Sequence, residues 1–398
     1  MSFRILSLDG GGIRGVISAQ ILKTVEQEII SQGKGKSLKD YFDLIAGTST
    51  GSILTAGLAL GKNSQQILDL YQKYGQSIFR QKTGWQKWSD QLISTITRGA
   101  ASLFADAKYT HDGLIAALQS ADGLGNTRIQ ELRKPPIILI LAYDTLYRNT
   151  TFFTNCHPDI GDRWYDECHL WQICVASASA PTFFPPYKLE PMNKEKFGDW
   201  QFPHIDGGVS ANNPSLAALS LALRLSSADI DPEIKKTYRL ENLELENISI
   251  LSVGTGQTND PFEFAQIKNW KGKDWIGNLP GIFMDPTSEI GGTICRHIMG
   301  GHKSSRYLRL QFDLNECFKE KEKETYKDTR ILLPPEERKN RFTGMKVSPK
   351  MDDASEESIQ QLMDTADAYL DKGLKYYLRD DNSAPTVKQA IADFIRNN

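Results

Sequence analysis

The sequence predicts an α/β fold on a mostly parallel sheet, and three observations carry that prediction. Short apolar runs of strand length alternate with segments of helical periodicity along the first two-thirds of the chain. Several of those runs end directly in glycine turns, at Gly10–Gly12, at Gly47–Gly51 and at Gly254–Gly256. The run "IILILAY" (Ile137 to Tyr143) is apolar throughout, as a strand buried on both faces requires.

Each element follows from its own pattern. Phe3 to Leu8 reads as a strand, and Val16 to Ile30 as a helix with apolar residues at 17, 21, 22, 25 and 29. "YFDLIAGTSTGSILTAGLALG" (Tyr41 to Gly61) reads as strand, tight turn and helix, stopped at Gly61. Ser64 is expected to cap the next helix, through Tyr74. Thr151 to Asn155 reads as a strand, Leu170 to Ser179 as a helix stopped by Pro181, and "HIDGG" (His204 to Gly208) as strand into turn. Pro214 to Leu225 reads as a helix, and Ile248 to Gly256 as a strand ending in a turn. Two tryptophan-bearing zones break the pattern, 80–110 and 262–300. Residues 318–350 alternate Lys and Glu and read as exposed connections, and helices are expected from Ala354 to Leu378 and from Thr386 to Ile395. The expected organisation is a catalytic unit over 1–260, with 80–110 as a lid or interface insertion, and a cap with helices over 261–398 packed on it.

Composition excludes several classes. With 398 residues, 40% hydrophobic and 24% charged, the chain reads as a soluble globular protein. A net charge of -2 supplies no field for nucleic acid, so no nucleic-acid partner is expected. No run reaches the ~18 apolar residues of a bilayer span, and the first residues lack the layout of a signal peptide, so a cytoplasmic location is expected. Five widely spaced cysteines form neither a disulfide framework nor a zinc pattern. Cys168, His169 and Cys174 are close in sequence, but reduced, partly buried thiols are the expectation, with no metal site.

The strongest chemical signal is Gly47-Thr48-Ser49-Thr50-Gly51. This G-x-S-x-G lies between a strand and a helix, the setting in which a sharp turn lifts a serine hydroxyl clear of the backbone. A serine needs a base. Of six histidines, only His204 is placed to compete, two residues before Asp206 and on the same face of an extended strand. Asp206 itself ends a strand before Gly207 and Gly208, which sets it, like Ser49, at the carboxyl edge of the sheet. An aspartate near ~3.9 is a poor base, and burial without a cation raises it. Gly10-Gly11-Gly12-Ile13-Arg14-Gly15 matches G-x-G-x-x-G, but Asp9 precedes the glycines and Glu28 falls within the first helix, so a dinucleotide site is disfavoured.

The set "DGGGIRG" (9–15), "YFDLIAGTSTG" (41–51), "AKY" (107–109), "SASAPTFFPP" (177–186), "DGGVSANNP" (206–214) and "LSVGTG" (251–256) resembles the patatin-like phospholipases, a family of lipid acyl hydrolases. The resemblance covers about the first two-thirds of the chain. It implies a three-layer α/β/α patatin-like fold and a serine acyl-ester hydrolase of phospholipase A or galactolipase type. Ser49 would be the nucleophile, Asp206 its base in a Ser-Asp dyad, and Gly10, Gly11 and Gly12 the oxyanion hole. No histidine, metal or cofactor is implied. Arg14 beside the loop is expected to lock it through a carboxylate or carbonyl, the alternative being a substrate phosphate. Gly47 and Gly51 let neighbouring chain pass closely at the Ser49 turn, Gly207 and Gly208 make the turn after Asp206, and Asn212 and Asn213 are expected to brace that turn and cap the helix at Pro214 rather than take part in catalysis.

A membrane glycerolipid as substrate implies a peripheral encounter with a membrane surface. Trp85 and Trp88 flank Lys82 and Lys87, and Trp270 and Trp275 flank Lys268, Lys271 and Lys273, a pairing suited to a headgroup boundary, with packing in a helical cap as the alternative. A second reading keeps the same lipase as a regulated effector in anti-phage defence, switched on by a cyclic nucleotide as small-molecule activator or by homo-oligomerisation. A third, an inactive scaffold, sits poorly with an intact Ser49, Asp206 and glycine loop.

Overall fold

Leu6 and Leu8 point to one side of the first strand and Phe3 and Ile5 to the other, and both sets are buried in separate apolar cores. That alternation makes the strand the middle of three layers. The structure, a computed structural model, describes residues 2–80, 107–159, 161–320, 330–374 and 384–398. The expected 80–110 insertion, with Trp85 and Trp88, lies almost wholly outside the described residues.

The central sheet comprises β1 (Phe3–Leu8), β2 (Leu44–Thr48), β3 (Ile137–Asp144), β4 (Asn149–Thr154), β5 (Tyr187–Leu189), β6 (Phe202–Asp206), β7 (Ile248–Val253) and β8 (Tyr307–Leu310). The pairs β1–β2, β1–β7, β2–β3 and β7–β8 are parallel. The pairs β3–β4, β3–β6 and β5–β6 are antiparallel. The sheet is thus mostly parallel and flanked by helices, as expected, but β6 enters against the grain of its neighbours.

On one face α1 (Gly15–Ser31) packs with α7 (Glu356–Lys372) and α8 (Val387–Asn397), and with α2 (Thr50–Ala59). Beside them α3 (Ser64–Ile78) and α4 (Leu170–Ser177) cover Ile138, Ile140 and Ala142 of β3. The opposite face is closed by α5 (Ser215–Ser227) and by Cys295 of α6 (Gly272–Ile298). The cap of α3 is Asn63 rather than Ser64. Its side chain accepts from the Gln66 amide while Gln66 accepts from the Asn63 amide, a reciprocal capping box.

Residues 261–398 do not stand apart from the catalytic unit. Strand β8 extends the sheet beside β7, and α7 and α8 share one core with α1. The 27-residue α6 is absent from the sequence reading, because two prolines and five glycines within it read as breakers. Tertiary packing overrides them. Met284, Ser288 and Cys295 are buried, and Cys295 joins the core on that face of the sheet.

Candidate active site

The site is built on one edge of β3. Leu141 pairs with Thr48 of β2 and with Phe152 of β4, while the next residue, Ala142, pairs with Asp206 of β6 and with Thr151 of β4. Since β4 runs along one edge, β2 and β6 must share the other. They approach from opposite directions and meet end to end. The residue after Thr48 is Ser49, so Ser49 and Asp206 are delivered to one point by main-chain pairing. The sequence predicts Asp206 at the same sheet edge as Ser49, and the structure delivers it there on an antiparallel strand.

Ser49 sits at φ 56°, ψ -123°, a conformation L-residues rarely occupy and one typical of a functional turn. Its amide donates to Ser177 Oγ at 2.9 Å, and Ser177 Oγ donates onward to the Leu141 carbonyl at 2.6 Å. Gly47 and Gly51 are required by crowding: a Cβ on Gly47 would strike the Gly51 carbonyl, and one on Gly51 the Leu8 carbonyl. Ser49 Oγ donates to Asp206 Oδ2 at 2.6 Å, within the range of a charge-assisted O–H···O bond. Asp206 Oδ1 accepts from the Gly208 amide at 2.7 Å. The amides of Asp206 and Gly207 donate to the Ser179 and Ser177 carbonyls. Burial pushes the Asp206 carboxyl up to about 6, against the lowering pull of the Ser49 hydroxyl and Gly208 amide.

His204 makes no hydrogen bond to Ser49; its partners lie elsewhere. Its Nδ1 lies 2.9 Å from the Phe202 carbonyl, which can only accept, so Nδ1 carries the proton. Nε2 then accepts from Thr151 Oγ1 at 3.0 Å. Burial lowers its pKa, and both ring nitrogens are engaged within the β-sheet layer.

The glycine loop lies across the ends of β1 and β7. The Gly10 amide donates to the Asn212 carbonyl at 3.1 Å, and Thr255 Oγ1 donates to the Gly10 carbonyl at 2.8 Å. Gly10 is thereby a tether. The Ile13 amide donates to the Met351 carbonyl, and Gly12, at φ +60°, has no room for a Cβ against that same carbonyl. Between these anchors Gly12 lines the cavity that holds Ser49 and Asp206, and Gly11 packs against the Thr255 side chain. Asn213 Oδ1 accepts from the Ser215 amide at 3.0 Å, one residue before the Pro214 N-cap of α5, which carries no side-chain cap of its own. Arg14 is 2% exposed, with Nε and Nη1 lacking partners among the described residues. Burial lowers its pKa, and the Asp285 charge opposes that shift.

A cavity of about 60 Å³ opens beside the dyad, walled mainly by apolar side chains such as Ile53, Phe79, Leu114, Phe184 and Met351. All five cysteines are free and buried, and the described residues contain no cluster fit to hold a metal. Sequence reasoning missed Ser177, although it stands in the quoted "SASAP" stretch, because only the fold brings it to the Ser49 amide.

Residues 6–219 match the family model described as patatin-like phospholipase. The chain belongs to the patatin-like phospholipases. As a family member it is similar to patatin-like protein 2 of Oryza sativa subsp. indica, 29% identical over 353 residues that cover 83% of each chain. It is also similar to patatin group M-3 of Solanum tuberosum, 27% identical over 412 aligned positions covering 98% of this chain and 88% of that one. Among solved structures, VipD from Legionella pneumophila aligns over 98% of this chain and 74% of its own, a distant likeness at 14% identity and a TM-score of 0.34. Family membership supports lipid acyl hydrolysis as the activity. The matched residues end before β7, so the loop at Thr255 and all of α6 and β8 lie outside them.

Proposed function

We propose that this patatin-like phospholipase cleaves fatty-acyl esters of membrane glycerolipids by a Ser49–Asp206 dyad. The observation that carries the reading is the 2.6 Å bond between Ser49 Oγ and a buried carboxylate at a nucleophile elbow. A carboxyl raised to about 6 is a far better base at neutral pH than one at ~3.9, while remaining largely ionised. Asp206 takes the Ser49 proton as Oγ attacks the ester carbonyl carbon. The carbonyl oxygen becomes an oxyanion facing the Gly11 and Gly12 amides, donors each worth roughly 3–4 kcal/mol to such a state. The tetrahedral adduct collapses, the ester C–O bond breaks, and the lysolipid alkoxide leaves with the proton held by Asp206. Water then gives a proton to Asp206 and adds to the acyl carbon. Release of Ser49, reprotonated by Asp206, frees the fatty acid.

The apolar walls beside Ser49 suit the first methylenes of an acyl chain. Access to a bilayer is offered by an aromatic cluster at the start of α6. Phe264 is 77% exposed, Phe262 and Trp275 are nearly half exposed, and Trp270 packs edge-on between Phe262 and Trp275 at 5.0 and 4.9 Å. Lys268 and Lys271 are exposed beside them, an arrangement suited to the headgroup boundary. No described helix is long and apolar enough to cross a membrane.

The test incubates the purified protein with mixed phospholipid and galactolipid vesicles and identifies released fatty acids and lysolipids by mass. Hydrolysis by the wild type, its loss in Ser49→Ala and Asp206→Asn, and a kcat/KM that rises with pH through about 6 are expected. Wild-type rates in either variant would overturn the dyad.

A further inference from the structure

The glycine loop begins at Asp9, and Asp9 is 1% exposed. Facing it is Arg309 of β8, a side chain 9% exposed and outside the residues that match the family model. Arg309 Nη1 donates to Asp9 Oδ1 at 2.8 Å and Nη2 donates to Asp9 Oδ2, a two-pronged fork on one carboxylate. Ser288 of α6 donates to Asp9 Oδ2 at 3.0 Å and accepts from Nη2 at 3.2 Å. Nη1 also donates to Ser252 of β7 at 2.8 Å. Burial raises the Asp9 carboxyl and the Arg309 charge opposes it; burial works to lower Arg309, and the Asp9 charge and hydrogen bonds outweigh it and raise Arg309.

A buried ion pair is a poor source of stability, because desolvation offsets most of the attraction. What a bidentate fork does supply is direction: it fixes the plane of the carboxylate, and with it the peptide that comes next. The next amide is Gly10, tethered to Asn212, and the two after it are the Gly11 and Gly12 amides that the hydrolase reading assigns to the oxyanion. Glycines have no side chains with which to hold their own orientation. We propose that Arg309 is a positioning residue for catalysis, acting through Asp9 and braced by Ser288 to aim the Gly11 and Gly12 amides. It makes the segment beyond the matched family residues part of the catalytic apparatus. The proposal rests on the Ser49–Asp206 hydrolase reading.

The test compares wild type, Arg309→Gln, Arg309→Lys and Ser288→Ala. Four readouts are taken: thermal melting, kcat and KM on a soluble short-chain ester, affinity for a trifluoromethyl ketone that forms an oxyanion on Ser49, and affinity for a non-hydrolysable ether lipid. Misplacing an oxyanion donor typically costs about 100-fold in rate. Arg309→Gln is expected to lose about that in kcat with KM within about threefold, and to lose ketone affinity in the same proportion. Ether-lipid affinity should stay at the wild-type value, since that ligand forms no oxyanion. Arg309→Lys should recover part of the loss, and Ser288→Ala should show a several-fold loss with the same pattern. If Arg309→Gln does not fold, Ser288→Ala decides alone. Wild-type kcat in a folded variant, or equal losses for ketone and ether lipid, would overturn the proposal. Fluorophosphonate labelling of the wild type separates the two levels. An unlabelled wild type sinks the hydrolase reading itself, whereas equal labelling rates in wild type and Arg309→Gln sink only the role of Arg309.

Discussion

Replacing Asp206 by Asn should make the protein more stable at neutral and alkaline pH while it removes the base. The carboxyl is fully buried and pushed from 3.8 up to about 6. The folded state therefore holds its proton more tightly than the unfolded chain does. The stability this contributes is present below about 3.8 and is lost as pH rises through about 6. The difference of 2.2 units (6 - 3.8), at 1.36 kcal/mol per unit, amounts to roughly 3 kcal/mol by pH 8. Asparagine carries no such loss. It keeps the geometry: Oδ1 can still accept from the Gly208 amide, and Nδ2 can donate to Ser49 Oγ. A chain of 398 residues melts with an entropy near 0.8 kcal/mol/K, at about 2.1 cal/mol/K per residue, so the gain corresponds to about 3–4 °C. Melting curves of wild type and Asp206→Asn at pH 4.5, 6 and 8, followed by circular dichroism, measure it. About 1 kcal/mol of it is already lost at pH 4.5, so the gap should widen by roughly 2 °C from pH 4.5 to 8, most of that by pH 6. An Asn variant that melts at or below wild type at pH 8, or a gap that does not change with pH, would refute the assignment of a strained, buried base.

Three further outcomes are expected from the same geometry. Gly12→Ala places a Cβ against the Met351 carbonyl at a positive φ, and should cut kcat by at least about 100-fold in steady-state assays with a smaller change in KM. Ser177→Ala strips partners from the Ser49 amide and the Leu141 carbonyl; chemical denaturation should show a loss of about 1–3 kcal/mol. The double change Phe264→Ala with Trp275→Ala should weaken vesicle co-sedimentation several-fold and leave hydrolysis of a soluble ester within about twofold, because both rings are exposed.

Much of this molecule is legible in its sequence, and the limits have physical causes. Strand β1 and helix α1 emerge within a residue of their expected ends, since their periodicity is undisturbed. The elbow at Ser49 is readable because glycine spacing and the strand-to-helix switch are local signals. The direction of β6 is not local: nothing in "FPHID" distinguishes a parallel from an antiparallel partner. Helix α6 is concealed by its own glycines and prolines, which single-sequence propensity treats as breakers while the fold buries Met284, Ser288 and Cys295 along it. Ser288 and Arg309 carry no motif at all. Their meaning arises only when a strand from late in the chain is laid beside β7.

The end-to-end meeting of β2 and β6 on β3 also works as a ruler. The spacing of Ser49 and Asp206 is measured in peptide units along β3, one step from Leu141 to Ala142. Side chains on β3 can therefore change within the limits of packing while the dyad keeps its alignment. A single-residue slip of β6 along that edge would turn Asp206 to the opposite face of the sheet and carry its carboxylate away from Ser49. Catalytic alignment in this fold is thus a matter of strand register, and an insertion or deletion within β6 would be costlier than most point substitutions around the cavity.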